Sequence, residues 1–180
     1  IMNKAVKYGL IASLVWICVK MGALALSISL YDIKYFGLLN MFLLTFVITW
    51  SIYKHKRTQT ESNLLVDIKN GMLAGVPYTA VVSVFLFFYY GQIFPEFREK
   101  KMNEVYVRID TKKELDAIRK NQPELENKSD VEIKQLAIKD WKNKLDPQFT
   151  MMISLLALLF YTTMNSLLIS LVFRRIVFRN

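Results

Sequence analysis

Four long apolar blocks, at about residues 8–31, 35–53, 70–92 and 149–173, limit what this chain can become. Each is close to or above the roughly 20 residues that a helix needs to cross about 30 Å of hydrocarbon. Lipid offers no hydrogen bonds to exposed backbone, so a block of this kind crosses as a helix that satisfies itself. The expected fold is therefore all-α: an integral membrane four-helix bundle. A soluble chain could reach 53% hydrophobic residues only by spreading them over short periodic segments, whereas here they are concentrated.

Charge follows the same division. Residues 95–148 carry 13 Lys and Arg against 12 Asp and Glu, close to neutral. The remainder carries 11 against 3, so +8 of the net +9 lies outside residues 95–148, nearly all of it beside the apolar blocks. Basic residues beside spans set orientation and meet anionic headgroups. No basic stripe with stacking aromatics stands outside the spans, so no nucleic-acid partner is expected. The flanks on one side hold Lys4, Lys7, Lys54, Lys56, Arg57, Lys69, Arg174, Arg175 and Arg179, opposed only by Glu61 and Asp67. This places both termini in the cytoplasm and the long third loop outside. The first block is too long for the apolar core of a cleaved signal peptide. Met2 reads as the natural start, with Ile1 a remnant.

Three regions follow: residues 1–94 with the first three spans, 95–148 as an external helical hairpin, and 149–180 with the fourth span and a basic tail. Within the hairpin, Thr111 with Glu114 and Ser129 with Glu132 have capping-box spacing. Val131, Ile138, Trp141 and Leu145 form one apolar face at near-heptad spacing. Pro95 could start a helix through Phe97, Met102, Val105 and Ile109, although residues 105–109 could also form a short strand. Asp146 and Pro147 turn the chain into the last span.

Small residues let helices approach closely in lipid. The third block has Gly71, Gly75, Thr79 and Ser83 at intervals of four, and the fourth has Thr162, Ser166 and Ser170. Antiparallel depth matching pairs Gly71 with Ser170, Gly75 with Ser166 and Thr79 with Thr162. Tyr8, Tyr31, Tyr35, Phe36, Trp50, Tyr53, Tyr89 and Tyr90 read as an interfacial aromatic belt.

Lys20 is the most conspicuous polar residue, near the centre of the first block. A lysine there costs on the order of 2.5–3.5 kcal/mol on insertion scales and is a functional candidate by default. No Asp or Glu lies inside any span to pair with it. It could snorkel, be bonded within the bundle, or meet an acid on another molecule. Asn40, Tyr78, Tyr161 and Asn165 lie at accessible depth. Asn40 and Asn165 are the other intramembrane polar candidates.

No catalytic set is expected. One histidine (His55) and one cysteine (Cys18) supply neither a metal cluster nor a nucleophile–base pair. No phosphate loop is present, since Gly71 and Gly75 lie within a span. The acids of residues 95–148 interleave with lysines, as on a solvated helix surface. The chain is read as a non-enzyme without cofactors.

Several segments together carry a resemblance. They are Met2-Asn3-Lys4-Ala5-Val6-Lys7-Tyr8-Gly9-Leu10-Ile11, Asp67-Ile68-Lys69-Asn70-Gly71, Phe94-Pro95-Glu96-Phe97, Asp146-Pro147-Gln148-Phe149 and Phe173-Arg174-Arg175. Essentially the whole chain resembles a family of four-span inner-membrane proteins of Bacteroidota, defined only as a domain of unknown function. The resemblance implies a bacterial inner-membrane location and assigns no activity. The expected role is a non-enzymatic accessory or scaffold subunit of an inner-membrane assembly, in contact with lipids and other membrane-protein subunits, with envelope biogenesis as one setting. The alternative is a small oligomeric transporter or channel, with Lys20, Asn40 and Asn165 lining an anion path. An enzyme acting on lipids is a third, weaker reading.

Overall fold

The computed structural model describes residues 3–26, 33–58, 63–121, 123–125 and 128–177. Among them the chain is all-α, with seven α-helices in two compact units. One unit comprises residues 1–85 and 152–180, the other residues 86–151. The helices are α1 (Lys4–Ala25), α2 (Ile33–Thr58), α3 (Leu64–Phe88), α4 (Glu96–Ile109), α5 (Lys112–Asn121), α6 (Asp130–Lys144) and α7 (Pro147–Val172). Four of them, α1, α2, α3 and α7, are long and apolar enough to cross a membrane. Tyr31 of the aromatic belt and the flanking charges Glu61 and Arg179 lie outside the described residues.

Local chemistry sets the helix ends. The Asn3 side chain accepts the Ala5 amide at 2.9 Å to start α1, and Asn63 accepts the Val66 amide at 2.8 Å to start α3. Asp146 accepts the Gln148 amide at 2.8 Å, and Pro147, which has no amide hydrogen to satisfy, opens α7. His55, Lys56 and Arg57 occupy the last turn of α2, where the carbonyl end of a helix favours cations. Pro77 lies inside α3 without ending it, as helices in lipid tolerate. A π-helical segment, Tyr89–Ile93, follows α3, and another, Phe173–Val177, follows α7.

Large apolar side chains, including Leu14, Phe42, Phe46, Leu156 and Phe160, are exposed along all these long helices. In water, so continuous an apolar surface would be an aggregation liability, but it suits contact with acyl chains. The aromatic belt needs correction. Tyr35 and Trp50 are exposed, but Tyr89 (1% exposed) and Tyr90 are buried. Their rings pack with those of Phe94 and Phe97, with centroids 5.0–6.3 Å apart. Both tyrosines open the π-helical segment, and the rings of Phe94 and Phe97 cover them.

In the second unit α5 and α6 form the two expected hairpin helices, and residues 105–109 continue α4, the helix that Pro95 could start, and form no strand. The unit's core is Val105, Ile109, Leu115, Leu125 and Ile133, flanked by Ile118, Ala137 and Ile138. The face of α6 that packs is therefore 133, 137 and 138; Val131 is 63% exposed and Trp141 is also exposed. Of the near-heptad face, Ile138 packs against this core, whereas Val131 and Trp141 face outward. Ser129 and Glu132 form the expected capping box. Thr111 does not: its hydroxyl donates to the Arg108 carbonyl at 2.7 Å, closing α4 instead of opening α5. An ion pair between Arg119 and Asp130 links α5 to α6, and Lys134 meets Asp110 at 2.7 Å.

Candidate functional site

Several polar side chains within the first unit sit at helix–helix contacts. Lys20 is only 2% exposed, so it does not snorkel to water. Its ammonium lies over the Phe36 ring of α2, 4.0 Å from the centroid. The negative face of the ring attracts the cation, and a desolvated pair of this kind is worth about 2 kcal/mol. Helix α1 ends at Ala25, so Lys20 is within about two turns of its end and off-centre. Trp16, one turn earlier, donates its indole N–H to the Phe36 carbonyl at 3.3 Å and packs edge-on against Phe85 of α3.

One turn along α2 from Phe36, Asn40 accepts the Tyr78 hydroxyl at 2.6 Å through Oδ1. Both residues are buried. Two of the three polar candidates, Lys20 and Asn40, thus come to one stretch of α2. Asn165 does not join them in the described contacts, since its amide donates to the Tyr161 carbonyl of its own helix at 3.0 Å. Tyr161 instead shares a 2.9 Å hydrogen bond with Thr45 of α2.

A second polar group lies at the opposite ends of α2 and α3. Asp67, in the first turn of α3, is fully buried, and Lys56 of α2 places its ammonium 3.0 Å from Oδ2. Arg174, just beyond α7, brings Nε to 3.9 Å from the same oxygen. The contacts are ionic, and neither carboxylate oxygen completes a hydrogen bond of ordinary geometry. Burying a charge is expensive unless an opposite charge comes with it, so the three residues depend on one another.

These ions cap three buried stripes that share four-residue spacing. On α2 the stripe is Leu44, Ile48, Ile52 and then Lys56; on α3 it is Asp67, Gly71, Gly75, Thr79 and Ser83. On α7 it is Leu158, Thr162, Ser166 and Ser170, with Arg174 at the next interval. A Cβ on Gly71 would stand 2.6 Å from Ser166 Oγ and 3.0 Å from Ile52 Cδ1. One on Gly75 would collide with the Thr162 γ-methyl.

The glycine pairings are therefore one turn away from those read by depth: Gly71 meets Ser166 rather than Ser170, and Gly75 meets Thr162 rather than Ser166. Thr162 fixes this register. Its methyl fills the Gly75 notch while its hydroxyl lies 3.3 Å from that of Thr79. Ser170 turns inward, donating to the Ser166 carbonyl at 2.6 Å. Gly9 is a further close approach, where a Cβ would run into the Ala74 carbonyl and force α1 from α3.

Asp67, Lys56 and Arg174 were read from sequence only as flanking charges, and Phe36 only as part of the belt. A signal for the triad was present. Asp67 extends the Gly71–Gly75–Thr79 stripe by one interval, and Arg174 extends Thr162–Ser166–Ser170 in the same way. Phe36 also lies at this spacing, as Phe36, Asn40, Leu44, Ile48, Ile52 and Lys56 follow one another at intervals of four, but residues so mixed form no small-residue stripe to mark it.

Among the described residues, no three His, Cys, Asp or Glu side chains gather as metal ligands would. Four membrane-length helices joined by small-residue seams and buried polar contacts, with a three-helix unit between the third and fourth, define a polytopic helical protein. Residues 7–175 match a family described as "Protein of unknown function (DUF4199)", and the chain belongs to that family. It matches no curated protein and no solved structure.

Proposed function

We propose that the protein is a non-enzymatic accessory or scaffold subunit of a bacterial inner-membrane assembly, with both termini in the cytoplasm. The observation that supports this most is the use made of polar side chains in the first unit. Lys20 engages Phe36, Asn40 engages Tyr78, Thr45 engages Tyr161, and Asp67 engages Lys56 and Arg174. Each such contact joins one helix to another. Groups spent on holding helices together make a fixed frame, and a frame suits a protein that positions others. The exposed apolar side chains of α2 and α7 offer that frame faces for lipid or for neighbouring spans.

Purification in a mild detergent from cells at native expression, followed by mass measurement of the intact particle, tests the reading. A particle of fixed stoichiometry with a different polypeptide supports it. A monomer without partners counts against it. A homo-oligomer with Lys20 and Asn40 facing a central axis favours the transporter alternative.

A further inference from the structure

The second unit contains a cleft of about 500 Å³ between the start of α4 and the end of α6. That volume falls within the range of small-ligand sites, roughly 300–1,000 Å³. Its lining combines Arg98, Lys142 and Glu99 with Asn103, Tyr106, Met102 and Leu145. Arg98 Nε is buried and makes no hydrogen bond. A guanidinium nitrogen left without an acceptor is costly, and its planar fork is shaped to take two oxygens of an oxyanion such as a phosphate.

The position along the chain narrows the source of that anion. Pro95, at one edge, comes two residues after Ile93, the end of the third membrane-length helix. Leu145, at the other edge, comes two residues before Pro147, the start of the fourth. A cleft so close to both spans is within reach of lipid headgroups. Glu99 adds a negative charge to the two positive ones, which suits a headgroup carrying both signs.

We propose that this cleft binds the headgroup of an amine-bearing phospholipid, such as phosphatidylethanolamine. Arg98 and Lys142 hold the phosphate, since charge-assisted bonds to phosphate are among the stronger ones and Arg binds in two-pronged fashion. Glu99 accepts from the primary ammonium, which a choline headgroup cannot match because it has no N–H to donate. Met102 and Leu145 supply apolar contact for the glycerol end.

The test is lipid titration of the delipidated full-length protein in detergent, with bound lipid counted by intact-particle mass spectrometry. Phosphatidylethanolamine, phosphatidylcholine and phosphatidylglycerol serve as probes. The wild type is expected to favour phosphatidylethanolamine over phosphatidylcholine by roughly tenfold, from the added charge-assisted bond. Arg98→Gln and Lys142→Gln should each weaken phosphatidylethanolamine by a similar factor. Glu99→Ala should abolish the preference over phosphatidylcholine. Lys113→Gln, at an exposed position of α5, should change nothing. Should Arg98→Gln fail to fold, Lys142→Gln and Glu99→Ala still decide the matter. Equal binding of all three lipids, or unchanged binding by these variants, overturns the proposal. So does displacement of the lipid by excess inorganic phosphate, which would identify a site for the free anion.

Discussion

At the scale of single residues, the two buried charges call for different expectations. Lys20 is balanced by a ring and Asp67 by opposite charges. Substituting Lys20→Met keeps the apolar length and removes the cation, so stability in detergent should stay level or rise. Phe36→Leu removes the ring but leaves the ammonium buried, and should cost about 1–2 kcal/mol. Adding Lys20→Met to Phe36→Leu should recover most of that loss; reversible unfolding of the three variants checks it. Asp67→Asn leaves Lys56 and Arg174 facing a neutral amide, and breaking a buried pair from one side typically costs about 3–5 kcal/mol. A melting temperature unchanged by Asp67→Asn would show that the triad is not a clamp.

Helices and their seams follow from sterics and capping. Gly75→Leu would press a side chain into Thr162 and Ile48, so α3 and α7 should separate. Paired cysteines at Thr79 and Thr162, whose hydroxyls lie 3.3 Å apart, would crosslink readily in the parent and poorly in the Gly75→Leu background. Gly9→Ala should be damaging for so small a change, because it meets backbone at Ala74 that cannot rotate away. In the second unit, Ser129→Ala removes the α6 cap and should lower its stability by roughly 1 kcal/mol. The same cap sets a pH dependence. The Ser129 amide, then its hydroxyl, hold the Glu132 carboxyl below the ordinary glutamate range. A lowered folded-state pKa gives stability that is complete above the unfolded pKa and disappears as pH falls through the folded value. Thermal melts of the wild type should therefore decline in acid more steeply than those of Glu132→Gln.

For the whole molecule, most of the architecture was legible because long apolar runs leave the backbone one solution in lipid. The small-residue stripes of α3 and α7 were legible for the same reason, as four-residue spacing survives any register. The register itself was not. Depth counting treats every rung as equal, whereas Thr162 selects Gly75 by shape and Thr79 by hydrogen bonding. Lys20 stood out by its charge, but its partner did not, because a phenylalanine near a helix start also fits an interfacial anchor. Tyr89 and Tyr90 were misplaced because the rings that cover them, Phe94 and Phe97, lie beyond the apolar block that holds the tyrosines. Asp67 was discounted as a flank charge because its burial depends on two other helices.

The scaffold reading makes its most direct commitment at the exposed apolar faces. Phe160 of α7 and Phe42 of α2 are 71% and 66% exposed, while Ile48 is fully buried. Each can be replaced by a photoreactive phenylalanine analogue and illuminated in living cells at native expression. The account predicts that Phe160 or Phe42 crosslinks to one distinct polypeptide in high yield, and that Ile48 crosslinks only within the chain. Adducts confined to lipid and to other copies of the same chain, at both exposed positions, would contradict it.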